Sequence, residues 1–169
     1  MSVSVLVVDD EEHARENVSA LLEKVGYEVI QAASLAEARE KVKKGIGDVV
    51  ILDVQLKAEY GLNLLYETNS MLTRPPIIVL TGFGDIETAV DAMRNGAMDF
   101  LTKPLNWPQL EKSLQRACET VAMRRELEHY RENQIKSVNF VIGSNEEVKT
   151  TVKQALIAAE KQVSVLITG

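Results

Sequence analysis

One cysteine in 169 residues rules out an internal disulfide framework, and Cys118, set in a helical pattern, reads as an ordinary packed or half-packed thiol with no redox role. The two histidines bring no catalytic centre: His13 falls in a first helical turn and His129 in a charged helix, and neither is assigned chemistry. Positive charge is in deficit. Nineteen basic against twenty-five acidic residues leave a formal net charge of −6, which argues against a broad footprint on nucleic acid or an anionic membrane. The first residues carry no charged leader and no small-residue cleavage site, and no apolar run approaches a membrane span, so the expectation is a cytoplasmic protein. What is present is 46% hydrophobic content, enough for one sizeable core and too little chain for two average domains.

The run Val49-Val50-Ile51-Leu52-Asp53 is four apolar residues, mostly β-branched, leading without a break into a carboxylate, the signature of a strand buried on both faces. The same signature recurs at residues 3–8, closed by Asp9-Asp10-Glu11-Glu12, at 77–81, closed by Thr81, and more weakly at 27–32 and 98–102, the last broken by Lys103-Pro104. Helical spacing fills the intervals. Val18, Leu21, Leu22 and Val25 precede Gly26, and a helix capped by Ser34 carries Leu35, Ala38 and Val42 to a basic end at Lys43-Lys44. After Asp53 a loop is expected as far as Gly61, then a helix through Leu62, Leu64, Leu65 and Met71 that Pro75-Pro76 ends; another runs through Ala89, Val90 and Met93 to Asn95-Gly96. Five strands alternating with five helices predict an α/β fold: a doubly wound, five-stranded parallel sheet, flavodoxin-like, in the order 2-1-3-4-5.

The last of these helices, starting at Trp107-Pro108, meets no Gly or Pro before Gly143. Leu110, Leu114, Ala117 and Val121 hold an apolar face; charge then interleaves around Met123, Leu127 and Tyr130, so the extension reads equally as a solvated arm or as half of a paired coil. The expected division is therefore a domain over residues 1–122, a helical linker over 123–138 and, over 139–169, the front of a further unit that cannot bury its own faces.

In such a sheet the strand ends share one edge, the edge at which ligands bind. That brings together Asp9, Asp10, Asp53, Thr81 and Lys103. Carboxylates at 4 Å repel by roughly 4 kcal/mol per pair at an effective dielectric near 20, so the cluster calls for cations. Mg²⁺ suits two carboxylates, a backbone carbonyl near Gln55 and a phosphate oxygen. Asp53 would be the nucleophile toward a phosphoryl group, Lys103 would offset residual charge, and the Thr81 hydroxyl would donate to the new phosphate. Plainer readings exist for each residue: an acid cluster favoured by a helix dipole, a turn at Asp53, an unremarkable threonine and lysine, Phe100 and Tyr60 as core and loop aromatics. Their joint order along the chain carries the argument.

These residues resemble the receiver domain of two-component response regulators across about residues 1–122, through Val5-Leu6-Val7-Val8-Asp9-Asp10-Glu11, Leu52-Asp53, Leu80-Thr81-Gly82 and Asp99-Phe100-Leu101-Thr102-Lys103-Pro104. The resemblance implies that Asp53 accepts phosphate from a histidine kinase's phosphohistidine. It implies Asp10 as the direct Mg²⁺ ligand with Asp9 assisting, Thr81 and Phe100 as a switch pair, and a cis Lys103-Pro104 peptide. Gln55 and Phe83 stand at positions resembling those that tune dephosphorylation. Lys57 departs from the family, which usually has proline there. Residues 139–169, through Phe140-Val141-Ile142-Gly143-Ser144 and Val165-Leu166-Ile167-Thr168-Gly169, resemble the opening of the ATPase domain of nitrogen-regulation-type activators of sigma-N RNA polymerase. That domain's phosphate loop, metal acid, polymerase-contacting loop and DNA-binding helices have no counterpart here. This stretch is therefore expected neither to hydrolyse ATP nor to bind DNA, and to meet polymerase only through the missing domain. Two functions follow: a phosphoacceptor switch that changes homodimer pairing through the fourth and fifth helices and linker, or a phosphorylation-independent module or decoy pairing with other receivers.

Overall fold

The computed structural model describes residues 3–57, 59–71, 73–82, 86–137 and 146–160. Five parallel strands, β1 (Ser4–Val8), β2 (Glu28–Ala32), β3 (Val49–Asp53), β6 (Ile77–Thr81) and β7 (Asp99–Thr102), form one sheet in the order β2-β1-β3-β6-β7. Counted without the short β4 (Gln55–Leu56) and β5 (Glu59–Tyr60), this is the order 2-1-3-4-5.

Alternation along the central strands divides the core in two. Val5, Val7, Val49, Ile51, Ile78 and Leu80 pack with Val18 and Leu22 of α1 (Glu12–Lys24) and with Leu110, Leu114, Ala117 and Val121 of α5 (Trp107–Ser137). Leu6, Val8, Val50, Leu52, Ile77 and Val79 face the other way, onto α2 (Leu35–Lys43), α3 (Asn63–Thr68) and α4 (Ile86–Arg94). Both faces being covered explains why β3 and β6 are continuously apolar. Each fully buried Leu or Ile contributes about 1.5–3 kcal/mol, so the two layers hold the sheet edge in place.

The helix signals act as the sequence suggests. Ser34 Oγ accepts the Glu37 N–H at 3.3 Å, while Glu37 Oε2 accepts the Ala33 N–H at 3.2 Å. Two local expectations are corrected. Helix α3 ends at Thr68, whose hydroxyl donates back to the Leu64 carbonyl at 2.6 Å, and Met71 packs against the core from beyond the helix. The expected loop between Asp53 and Gly61 is instead an antiparallel ribbon, β4 (Gln55–Leu56) against β5 (Glu59–Tyr60).

Helix α5 has 31 residues, a rise of about 46 Å at 1.5 Å per residue. Its packing on the sheet ends with Val121, beyond which Met123, Leu127 and Tyr130 are exposed. Two consecutive arginines tie it down there: Arg124 donates to the Arg74 carbonyl at 2.6 Å, and Arg125 to Asp48 Oδ1 at 2.5 Å. The chain divides into two compact units, Met1–Leu127 and Glu128–Gly169. In the second, α6 (Glu146–Glu160) is described; the strands expected near Phe140 and Val165 lie outside the described residues, as does Phe83. No described helix is long and apolar enough to cross a membrane.

Candidate functional site

Because all five strands run parallel, their carboxyl ends share one edge, and there a concavity of about 670 Å³ is lined by Asp9, Asp10, Asp53, Gln55, Lys57 and Lys103, among others. Asp53 is the last residue of β3 and is buried, as is Asp9 just beyond β1. Lys103 directly follows β7, and the peptide bond after it, Lys103-Pro104, is cis. Its ammonium lies between the two acids, 2.8 Å from Asp9 Oδ2 and 2.6 Å from Asp53 Oδ2. The other oxygens are occupied by backbone: Asp9 Oδ1 accepts the Glu11 N–H at 2.9 Å and Asp53 Oδ1 the Gln55 N–H at 3.1 Å.

This arrangement bears on the plain reading of the acid run. Asp9 does bond to the turn that leads into α1, and Arg15 of that helix returns a hydrogen bond to the Asp9 carbonyl at 2.7 Å. Asp9 thus organises a helix start and faces Lys103 as well. Asp9, Asp10 and Asp53 all line this one concavity, although among the described residues no three acid, histidine or cysteine side chains stand as a ready-made metal group. One ammonium reconciles Asp9 with Asp53, and Asp10 turns instead toward Lys57, whose Nζ is 4.0 Å from Asp10 Oδ2.

Burial dominates the Asp53 carboxyl and raises its pKa above the ordinary value; the Lys103 and Gln55 hydrogen bonds oppose the shift, and the Asp9 charge adds to it. Lys103 is also raised: burial pulls it down, but the bonds to Asp53 and Asp9 more than reverse that. The site therefore holds a desolvated carboxylate and a firmly protonated lysine. Its acidic donors are all oxygens, which suits a hard divalent cation and fits Mg²⁺ by donor chemistry, with Asp9, Asp10, Asp53 and the Gln55 backbone as the groups that would hold it.

Thr81 ends β6 and is buried, and its carbonyl accepts the Lys103 N–H at 2.7 Å, joining the two strand ends. Phe100 is not among the residues that line this concavity. It pairs with Val79 across β6 and β7 and lines a different concavity with Asp99, Thr102, Gln109, Lys112 and Ser113.

Two contributors escaped the sequence. Gly61 read only as the end of a loop, yet a Cβ there would lie 2.0 Å from the Asp53 carbonyl oxygen, so the ribbon closes against the back of Asp53 only with glycine. Its N–H donates to the Val54 carbonyl at 2.8 Å. Arg39 of α2 grips the same ribbon, donating to Glu59 at 3.1 Å and bidentately to Glu67 of α3 at 2.7 and 2.8 Å. A half-buried arginine in a helix gives no sign in the sequence of partners 20 and 28 residues away.

Residues 5–115 match the family model described as the response regulator receiver domain. The regulatory protein AtoC of Escherichia coli (strain K12) is 30% identical over 167 residues, covering 98% of this chain and 36% of AtoC. A putative NtrX-like response regulator of Rickettsia bellii is 36% identical over 126 residues, covering 73% of this chain and 26% of that protein. The crystal structure of NtrX from Brucella abortus in complex with ADP is similar with a TM-score of 0.67 and 31% identity, over 91% of this chain and 34% of that one. This chain thus spans about a third of the length of AtoC and of that NtrX chain. With the family match covering most of the compact unit that carries the acidic edge, the chain belongs to the response regulator receiver domain family.

Proposed function

We propose that the chain is a phosphoacceptor switch in which Asp53 takes a phosphoryl group from the phosphohistidine of a sensor histidine kinase. The observation that carries this is the placement of the Lys103 ammonium against both Asp53 and Asp9 at the carboxyl edge of the sheet. An Asp53 carboxylate oxygen forms the new P–O bond as the P–N bond to the donor imidazole breaks, and the nitrogen leaves with the bonding pair. Burial keeps Asp53 poorly hydrated and hence available as a nucleophile. Lys103 neutralises charge that gathers on the phosphoryl oxygens. A Mg²⁺ ion bound by Asp9, Asp10, Asp53 and the Gln55 carbonyl would supply Lewis-acid stabilisation of the same oxygens.

The switch would run through Thr81 and Phe100, on neighbouring strands two positions apart, since Thr102 is the residue opposite Thr81. Donation from the Thr81 hydroxyl to the phosphoryl group would draw its loop inward and free or claim space near Phe100. Names of relatives such as AtoC and NtrX support a role in transcription regulation of the sigma-N activator type. The same reading places the switch in the cytoplasm, pairing as a homodimer through α4, α5 and the linker. Chemistry here is limited to gaining and losing phosphate on the protein itself, and no ATP hydrolysis or DNA binding is assigned to this stretch.

The test is labelling with acetyl phosphate and Mg²⁺, followed by intact-mass measurement. The parent protein should gain one phosphoryl mass and Asp53→Asn none. Unchanged labelling of Asp53→Asn would remove the assignment.

A further inference from the structure

Lys57 combines three features at the tip of the ribbon. Its φ is +34°, in the left-handed region that side-chain-bearing residues rarely occupy. It lines the acidic concavity, and among the described residues its ammonium is the one paired with Asp10, at 4.0 Å, where Lys103 serves Asp9 and Asp53. Nothing in the turn itself calls for lysine, since glycine or asparagine takes that conformation with less strain. What lysine adds is a mobile positive charge, 79% exposed as a side chain, facing an Asp10 side chain that is only 17% exposed.

Its position is built rather than accidental. Leu56, the preceding residue, is buried; Glu59 on the opposing strand is held by Arg39; and Gly61 fastens the ribbon to the Val54 carbonyl. The ribbon is pinned on both sides of the tip, so the root of the Lys57 side chain is held within reach of Asp10.

We propose that Lys57 is a tethered counter-ion of Asp10 that competes with the divalent metal for that carboxylate and so sets the metal concentration at which the site becomes competent. This rests on the reading of Asp10 as a metal ligand. A monovalent ammonium on a short tether lowers the free energy of the metal-free site without coordinating as a hard cation does, so the metal must displace it before using both Asp10 oxygens. Exposed pairs of this kind change an equilibrium by about two- to fivefold.

Mn²⁺ alone is the probe, its free signal followed by electron paramagnetic resonance during titration of the full chain. Lys57→Met and Lys57→Gly should both bind Mn²⁺ about two- to fivefold more tightly than the parent. Lys57→Arg, which keeps the charge, should stay within twofold of it. The glycine variant relieves the strained φ and the methionine variant does not, so agreement between them assigns the effect to charge. In an Asp10→Asn background, Lys57→Met should change nothing; tightening there by the same factor would show a general field effect and overturn the pairing. The gap between parent and Lys57→Met should also narrow as KCl rises from 20 to 500 mM. Equal affinity of parent and Lys57→Met would overturn the competition while leaving the metal site intact. Failure of parent and variants alike to bind Mn²⁺ up to tens of millimolar would overturn the metal-site reading, and with it the role of Lys57.

Discussion

At the scale of single residues, the site turns on how one lysine reconciles two buried acids. Lys103→Met would leave Asp9 and Asp53 facing each other without the ammonium that now separates them. The folded-state pKa of Asp53, already raised, would then lie further above its unfolded value, and such a group loses stability as pH rises through the ordinary carboxyl range near 4. The variant should therefore be about 1–3 kcal/mol less stable than the parent at pH 7, the partial exposure of Lys103 keeping the figure below that of a fully buried pair, and should approach the parent near pH 4. Thermal melts across that range check it; a deficit that is independent of pH would show that packing, and not charge, is lost. Gly61→Ala is the complementary change, with no charge involved. Its Cβ would lie 2.0 Å from the Asp53 carbonyl oxygen, so backbone has to move, and a loss of about 2–4 kcal/mol together with loss of acetyl phosphate labelling is expected. Full labelling would mean that the ribbon can open without disturbing Asp53.

At the scale of elements, α5 has two anchors after its packing on the sheet ends. The carboxylate of Asp48 accepts from the Ser4 N–H at 2.8 Å, from the Ser4 hydroxyl at 2.9 Å and from Arg125 at 2.5 Å. Burial alone would raise that carboxyl, but these bonds hold it below the ordinary value. A lowered folded pKa gives stability that is present above the unfolded value near 4 and drains away as pH falls through the folded one. Asp48→Asn should accordingly lose about 1–2 kcal/mol at pH 7 and converge with the parent in acid, while hydrogen exchange in residues 121–127 quickens. Exchange unchanged there would leave Arg125 without an anchoring role. Elements of this kind mark the line between what the sequence discloses and what it withholds. The period of apolar residues reveals β3 and β6 because burial on both faces leaves a continuous run, and it reveals α5 as far as Val121 because one face meets the sheet. The ribbon after Asp53 is hidden, since Gln55-Leu56 and Glu59-Tyr60 are too short to show a period. The same limit hides Lys103 as a bridge to Asp9. Motif order places both residues at one edge, but only packing decides which carboxylate each ammonium meets, and Asp10 goes to Lys57.

At the scale of the whole molecule, a switch must give a modified Asp53 something to bias. Phosphorylation replaces the single negative charge of the Asp53 carboxylate with a group carrying about 1.5 to 2, and moving a population from mostly off to mostly on takes about 5.5 kcal/mol of state preference. Contacts at the acidic edge alone would have to be unusually strong to supply that, whereas pairing of two chains adds apolar burial to it. The described surface offers apolar side chains where the proposed dimer needs them: Ile86, Val90 and Met93 on α4, and Met123 and Leu127 four residues apart on α5, all exposed. Leu127→Glu removes one such side chain from each partner and inserts like charges. Losing two buried leucines per dimer is worth about 3–6 kcal/mol, so the dissociation constant should rise at least about a hundredfold. Sedimentation velocity with and without beryllofluoride, a phosphoryl mimic, reads this directly. The parent should change its monomer–dimer balance when the mimic binds, and Leu127→Glu should remain monomeric in both conditions while still being labelled on Asp53 by acetyl phosphate. A Leu127→Glu profile identical to the parent's would separate phosphate acceptance from pairing through α5, and the output of the switch would then have to be sought on α4.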